Sequence, residues 1–182
     1  HGVFDLSYLR MMPNMVVMAP KDENELRHML LTALKHNGPI AIRYPRGSGL
    51  GVDCSEPIHT LPIGKGEVIL PGKDVVLWAI GTMVSTAVVV ADTLRERGID
   101  AGVVNARFAK PVDETLLIKA ATGAKLLVTM EENVVYGGFG SGVLEAASRL
   151  ELTKHTDIMN IGIPDSYVTQ GDKKLLLLDL GL

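Results

Sequence analysis

Apolar runs that alternate with helical patterns constrain the fold of this chain more than any other feature of its sequence. Residues 74–80 are apolar after Asp74, as is typical of a fully buried strand, and residues 85–96 follow with helical spacing up to Gly98. Further strands are predicted at residues 15–19, 39–44, 66–70, 101–105, 125–130 and 157–161, and further helices after Asp22 and Pro111 and at residues 140–150 and 172–178. This order predicts an α/β fold whose mostly parallel sheet is covered on both faces.

The periodicity disappears between residues 50 and 62, where Gly51, Pro57 and Pro62 accompany scattered polar residues. A fresh strand–helix–strand series begins after this break, with residues 66–70 as an edge strand. We therefore expect two compact units, residues 1–52 and residues 63–182, joined by a linker at residues 53–62.

Composition excludes several classes of function. The 182 residues are 47% hydrophobic and 21% charged, with a net charge of −3, so no basic surface indicates binding to nucleic acid or a membrane. The apolar runs are shorter than the roughly 18–20 residues that span a bilayer. The single cysteine, Cys54, fits a reducing compartment, and its acidic neighbours argue against a nucleophilic role. No Cys/His cluster has metal-ligand spacing.

Two arginines lie three positions apart in the string RYPRG, residues 43–47. Arg46 comes where a predicted strand ends and a glycine-rich loop begins, the edge at which open α/β sheets bind ligands. A guanidinium held by a proline-stiffened turn suits a carboxylate or a phosphate. The alternative, that Arg43 and Arg46 both form structural salt bridges, is favoured on spacing alone.

A second glycine-rich loop, residues 137–142, lies between a predicted strand and a helix, which is where phosphate-binding loops occur. Its Gly-x-Gly-x-Gly spacing is not the dinucleotide fingerprint, and Glu131 and Glu132 would repel a phosphate. We therefore interpret the glycines as packing and turn residues, with the two acids capping the helix or facing an interface.

The histidines form no complete catalytic constellation in the sequence. His1 and Asp5 could be a base and its orienting partner, although a terminal histidine is more often an ordinary loop residue. His28 is expected to be exposed on its helix. No nucleophile elbow is present, and no other histidine has a partner at a readable spacing (His36, His59, His155).

Several strings resemble the 1-deoxy-D-xylulose-5-phosphate synthases. These are HGVFDLSYLR (1–10), PKDENELR (20–27), GPIAIRYPRG (38–47), VNARFAKP (104–111), and the stretch from EEN at 131–133 to Gly142. The match runs nearly end to end, and transketolases and 2-oxoacid dehydrogenase β subunits share the architecture without the string FDLSYLR. The resemblance implies the end of a pyrimidine-binding domain followed by a smaller transketolase C-terminal-like α/β domain.

The resemblance also implies a chemistry. Enzymes of this family are transferases that use thiamine diphosphate and Mg²⁺ to condense pyruvate with D-glyceraldehyde 3-phosphate, giving 1-deoxy-D-xylulose 5-phosphate and CO2 for isoprenoid, thiamine and pyridoxal biosynthesis. It further implies a cytoplasmic homodimer. The metal and diphosphate motif, the activating glutamate and the active-site histidine would all lie upstream of His1. This chain alone is then expected to be inactive, with the N-terminal portion of the same enzyme as its partner.

Within the chain, the resemblance assigns Arg46 to the phosphate of D-glyceraldehyde 3-phosphate, and Asp5 and Arg10 to shaping the site. It assigns no catalytic, cofactor-binding or metal-binding residue here. Arg43 is expected to form a structural ion pair. A transketolase, a 2-oxoacid dehydrogenase β-type subunit and a non-catalytic interaction module remain alternatives, and the sequence does not fix the roles of His1, Glu131 and Glu132.

Overall fold

The computed structural model describes residues 2–182, without the side chains of residues 173 and 174. Its helices are α1 (Asp5–Met11), α2 (Glu23–Lys35), α3 (Met83–Glu96), α4 (Glu114–Gly123), α5 (Phe139–Arg149) and α6 (Lys173–Asp179), with a 3₁₀ turn at Leu152–Lys154. Its strands are β1 (Val16–Met18), β2 (Ile40–Ile42), β3 (Glu67–Leu70), β4 (Val75–Ala79), β5 (Ala101–Asn105), β6 (Phe108–Lys110), β7 (Leu126–Val134) and β8 (Asp157–Ile163).

The larger sheet has the strand order β3-β5-β4-β7-β8 and is parallel except for β3, which pairs antiparallel with β5 at the edge. Successive side chains of β4 enter two different cores: Val76 and Trp78 pack with α4 and α5, while Leu77 and Ala79 pack with α3. Alternating burial on opposite faces is what a fully covered strand requires. The prediction of a mostly parallel sheet covered on both faces is confirmed.

A second, three-stranded sheet has the order β2-β1-β6. β1 and β2 are parallel, and β6 joins β1 antiparallel from the C-terminal part of the chain. β6 was not predicted from the sequence. Its Phe108 is buried with Val16, Met18 and Met29, so the two parts of the chain share a sheet and a small core.

No helix or strand occurs between β2 and β3, in agreement with the loss of periodicity there. Leu61 at the end of this segment is nevertheless buried in the core of the smaller sheet. The division into residues 1–52, 53–62 and 63–182 stays a prediction.

The start of α2 forms part of a capping box. The carboxylate of Asp22 accepts a hydrogen bond from the backbone N–H of Glu25 at 2.7 Å. The return bond of a capping box is absent, because the Glu25 carboxylate accepts from the N–H of Lys21 instead, at 2.8 Å.

Candidate active-site edge

The two arginines of the string RYPRG have different surroundings in the structure. The guanidinium of Arg43 contacts Glu132, with 3.4 Å from Nη1 to the carboxylate and 3.2 Å from Nη2 to the backbone carbonyl. Both side chains are largely buried, at 12% and 7% exposure. The expected structural ion pair of Arg43 is therefore confirmed, and it joins the end of β2 to β7.

Arg46 lies in a loop, residues 43–52, that follows β2 and is mostly exposed after Arg43; we call it the Arg46 loop. Its side chain is exposed and forms no salt bridge within the part of the chain that the structure describes. The loop is fixed at its start, where the N–H of Arg43 donates to the carbonyl of Met18 at 2.8 Å. The salt-bridge alternative thus applies to Arg43, whereas Arg46 presents an exposed cation at the carboxyl end of a strand.

Arg10 connects α1 to α5 and the loop that precedes it. Its guanidinium donates to the carbonyl of Gly137 at 2.6 Å and to the carboxylate of Glu145 at 2.7 Å. It lies directly against Gly142, where an added Cβ would be 2.6 Å from Nη2. Any side chain at position 142 would displace Arg10, so this glycine permits the contact between the two helices.

Asp5 is the first residue of α1, and its carboxylate accepts a hydrogen bond from the hydroxyl of Tyr8 at 2.9 Å. The proposed pairing of Asp5 with His1 cannot be placed, because His1 lies outside the described residues. Asp5 and Arg10 both belong to α1, but the structure does not bring their side chains to Arg46 through any described hydrogen bond or salt bridge.

Asn133 holds the start of α1 against the end of β7, a role that was not predicted from the sequence. Its side-chain oxygen accepts from the N–H of Leu6 at 3.0 Å, and its amide donates to the hydroxyl of Ser7 at 2.9 Å. Asn133 is fully buried, and a buried amide requires such partners. In the sequence, the one signal for this role is an amide side chain in the continuation of a predicted buried strand.

Glu131 fills the N-terminus of α5. Its carboxylate is fully buried and accepts from the backbone N–H groups of Phe139 at 2.7 Å and Gly140 at 2.8 Å. Burial raises the pKa of Glu131 to about 7, against the opposing effects of these two N–H groups and of Arg10 and Arg43. Of the two roles expected for the acids, helix capping is the one that Glu131 has. Its carboxylate occupies the place where a phosphate would bind in a phosphate-binding loop.

A second polar cluster, centred on Glu25, was not predicted. The buried Glu25 carboxylate accepts from Asn105 at 2.8 Å and from Arg107 at 2.7 Å, and Arg107 also contacts Glu67 at 2.9 Å. The cluster borders a cavity of about 220 Å³ lined by Lys21, Asn24, Glu25, His28, Glu56, His59, Leu61, Glu67 and Arg107. Its cations are already paired with acids, so the cluster joins α2 to β3 and β5 rather than offering a free anion site.

The expectation that His28 is exposed was wrong, since only 5% of it is accessible. Its ring packs on that of His59, with centroids 4.0 Å apart, and its Nδ1 accepts from the N–H of His59 at 3.1 Å. Burial lowers the pKa of His28. The connecting segment folds back onto α2 at this point, which the helical pattern alone could not indicate.

Among the described residues, no group of three or more His, Cys, Asp or Glu side chains could hold a metal ion. The glycine-rich helix start that would suit a diphosphate is filled by Glu131.

Among the described residues, no helix is both long and apolar enough to cross a membrane.

Two family models match the chain. Residues 64–182 match the model described as "Transketolase, C-terminal domain", and residues 1–50 match "Transketolase, pyrimidine binding domain". The gap between the two matches falls in the segment without helix or strand.

Similar proteins were found among curated sequences and solved structures. The 1-deoxy-D-xylulose-5-phosphate synthase of Heliobacterium modesticaldum is 53% identical over the whole chain, and 1-deoxy-D-xylulose-5-phosphate synthase 1 of Geobacter sulfurreducens is 51% identical. The chain spans 28% of the length of each. A structure described as "Split gene transketolase, inactive beta4 tetramer" is 32% identical, with a TM-score of 0.85 over 99% of this chain and 57% of that one. A Campylobacter jejuni transketolase, 19% identical with a TM-score of 0.65 over 97% of this chain and 26% of that one, shares the fold.

Proposed function

The chain belongs to the transketolase family, and on that premise we propose that it is part of a thiamine-diphosphate-dependent 1-deoxy-D-xylulose-5-phosphate synthase. The enzyme would condense pyruvate with D-glyceraldehyde 3-phosphate and release CO2. Two kinds of observation support this: relatives with that name are about half identical over the whole chain, and the string FDLSYLR is present at residues 4–10.

The exposure of Arg46 is the observation that best supports the proposed role of this chain. The Arg46 loop presents an exposed guanidinium without a salt bridge among the described residues, at the strand edge where α/β proteins bind ligands. A planar guanidinium can donate two parallel hydrogen bonds to a phosphate. We assign Arg46 to the phosphate of D-glyceraldehyde 3-phosphate, and Arg43 to the structure that supports it.

Asp5 and Arg10 would shape the site indirectly. Both lie on α1, which Asn133 and the Arg10–Gly137 contact fix against β7 and the loop before α5. Their contribution would be to hold the chain that precedes α1 in place, and no catalytic group is assigned to them.

Thiamine diphosphate and Mg²⁺ would be held by the N-terminal portion of the enzyme, which we propose as the partner of this chain. When bound, the cofactor supplies the electron sink for decarboxylation. For this chain we propose only the binding of the phosphate and the support of that site. We also propose a cytoplasmic homodimer and a domain division at residues 53–62, the latter supported by the separate family matches.

A two-substrate assay of the whole enzyme tests the proposed activity. Pyruvate and D-glyceraldehyde 3-phosphate should yield 1-deoxy-D-xylulose 5-phosphate and CO2, whereas residues 1–182 alone should yield neither. Ketol transfer between sugar phosphates without use of pyruvate would support the transketolase alternative. Acyl transfer from a longer 2-oxoacid would support a 2-oxoacid dehydrogenase β-type subunit, and no turnover by the whole protein would favour an interaction module.

The role of Arg46 has its own test in the same assay. Arg46→Ala should raise the KM for D-glyceraldehyde 3-phosphate far more than that for pyruvate, because only the former carries a phosphate. The lost charged contact should cost on the order of 2–4 kcal/mol, or roughly 30- to 1000-fold in kcat/KM for that substrate. Arg46→Lys should recover part of the loss, since an ammonium lacks the planar fork. Equal losses for both substrates would place the phosphate elsewhere.

A further inference from the structure

The Arg46 loop needs an anchor beyond its start. It contains Gly47, Gly49 and Gly51, and glycine gives the backbone more conformational freedom than any other residue. Its first residue is fixed by β1 and by Glu132, but Arg46 lies three residues further on, where the chain is exposed. A guanidinium on an unrestrained loop would lose conformational entropy on binding a phosphate, which weakens affinity.

Glu23, the first residue of α2, provides that anchor. Its carboxylate accepts hydrogen bonds from three successive backbone N–H groups, at 3.0 Å from Leu50, 2.5 Å from Gly51 and 3.1 Å from Val52. Its own backbone N–H and these three lower the pKa of Glu23, so it stays ionised at neutral pH. The far end of the loop is therefore tied to the rigid start of a helix.

The loop also fits closely around this carboxylate. A Cβ added at Gly49 would lie 2.6 Å from Oε1 of Glu23 and 2.7 Å from its Cδ. Within the described chain, no salt bridge joins Glu23 to Arg46. The Glu23 carboxylate binds backbone N–H groups and not Arg46. The guanidinium of Arg46 therefore stays available to an anionic ligand.

We propose that Glu23 is a positioning residue for Arg46: by binding the N–H groups of residues 50–52, it holds the guanidinium where the acceptor's phosphate binds. This inference rests on the proposed function. It makes Glu23 a determinant of specificity for a phosphorylated acceptor, although it does not itself touch the substrate.

Two variants of the whole enzyme test the inference. In Glu23→Gln, the amide places a donor against the backbone N–H groups and removes the charge. In Gly49→Ala, the added methyl displaces the carboxylate and leaves Glu23 unchanged. Each should lower kcat/KM for D-glyceraldehyde 3-phosphate by about 5- to 30-fold and leave the KM for pyruvate within about twofold. Glu96→Gln, at an exposed glutamate ending α3, is the matched control and should change neither.

A double variant separates positioning from general stability. If Glu23 acts through Arg46, adding Glu23→Gln to Arg46→Ala should cause almost no further loss, because the group being positioned is gone. Amide exchange at residues 50–52 should also be faster in both single variants, without a matching change in the core strands.

The outcomes distinguish this inference from the proposed function. If Arg46→Ala itself has no acceptor-specific effect, the phosphate assignment fails and this inference with it. If Arg46→Ala has that effect but Glu23→Gln and Gly49→Ala do not, only the positioning role is overturned. Equal losses for pyruvate and the acceptor, or full additivity with Arg46→Ala, would also overturn it.

Discussion

Two glycine-rich junctions follow strands in this molecule, and they handle charge in opposite ways. After β2, the Arg46 loop presents an exposed cation without a salt bridge among the described residues. After β7, the loop before α5 encloses the carboxylate of Glu131, which is fully buried and bonded to the first N–H groups of the helix. The first junction leaves a cation exposed, whereas the protein's own side chain fills the second.

The comparison shows that a glycine-rich loop after a strand does not by itself indicate a ligand site. The loop is open to a ligand only if the group that would bind it, whether N–H groups or a charged side chain, is not already bound by a side chain of the protein. The two junctions are neighbours, since the Arg43–Glu132 ion pair connects them. Variants on each side can therefore be compared within one structural setting.

The largest expected effect on stability is at the filled junction. Glu131→Ala removes the acceptor of two buried N–H groups and leaves a cavity, so we expect a loss of about 2–4 kcal/mol in the free energy of unfolding. Denaturant unfolding of the whole protein measures it, with Arg46→Ala at the open junction as the comparison, expected within about 0.5 kcal/mol. Similar losses in both variants would remove the distinction between the junctions.

The pH dependence of stability sharpens the same distinction. Because the pKa of Glu131 is raised to about 7 in the folded state, its proton is bound more tightly there than in the unfolded chain. The resulting stability is present below about pH 4.5 and is lost as the pH rises through 7, by on the order of 1–3 kcal/mol.

Glu131→Gln cannot ionise, so the stability of this variant should lack this dependence on pH. Wild type should therefore lose stability relative to the variant between pH 5 and pH 8, as followed by denaturant unfolding at both values. If wild type instead gains stability relative to the variant as the pH rises, the two N–H groups outweigh burial and lower the pKa of Glu131.

A further comparison takes one glycine from each junction. A Cβ at Gly140 would lie 2.5 Å from Oγ1 of Thr129 and 2.8 Å from Cγ of Asn160, whereas one at Gly47 meets nothing within 4 Å. Gly140→Ala should lower the free energy of unfolding by about 1–3 kcal/mol, and Gly47→Ala should change it by less than about 0.5 kcal/mol. Thermal unfolding of both variants measures this, and equal shifts would argue against a tightly packed second junction.

Local features of the sequence predicted much of the larger sheet. Buried parallel strands are continuous apolar runs, so β4, β5 and β7 could be recognised without knowledge of their neighbours. The capping roles of Asp22 and Glu131 were also predictable, because each acts on a helix that starts a few residues away.

Contacts between distant parts of the chain were not predictable in this way. β6 is three residues long and exists because it pairs with β1, about ninety residues earlier. The burial of His28, the cluster around Glu25 and the hold of Asn133 on α1 all depend on segments that meet only in the fold. At the candidate site, sequence spacing could not separate Arg43 from Arg46, and their surroundings in the structure do.

The most direct test of the central claim compares two acceptors in the whole enzyme, D-glyceraldehyde 3-phosphate and unphosphorylated D-glyceraldehyde. If Arg46 binds the phosphate, Arg46→Ala should lower kcat/KM for the phosphorylated acceptor by roughly 30- to 1000-fold and leave that for D-glyceraldehyde within about threefold. A similar loss with both acceptors would contradict the account, since it would show that Arg46 acts on the structure or the chemistry and not on the phosphate.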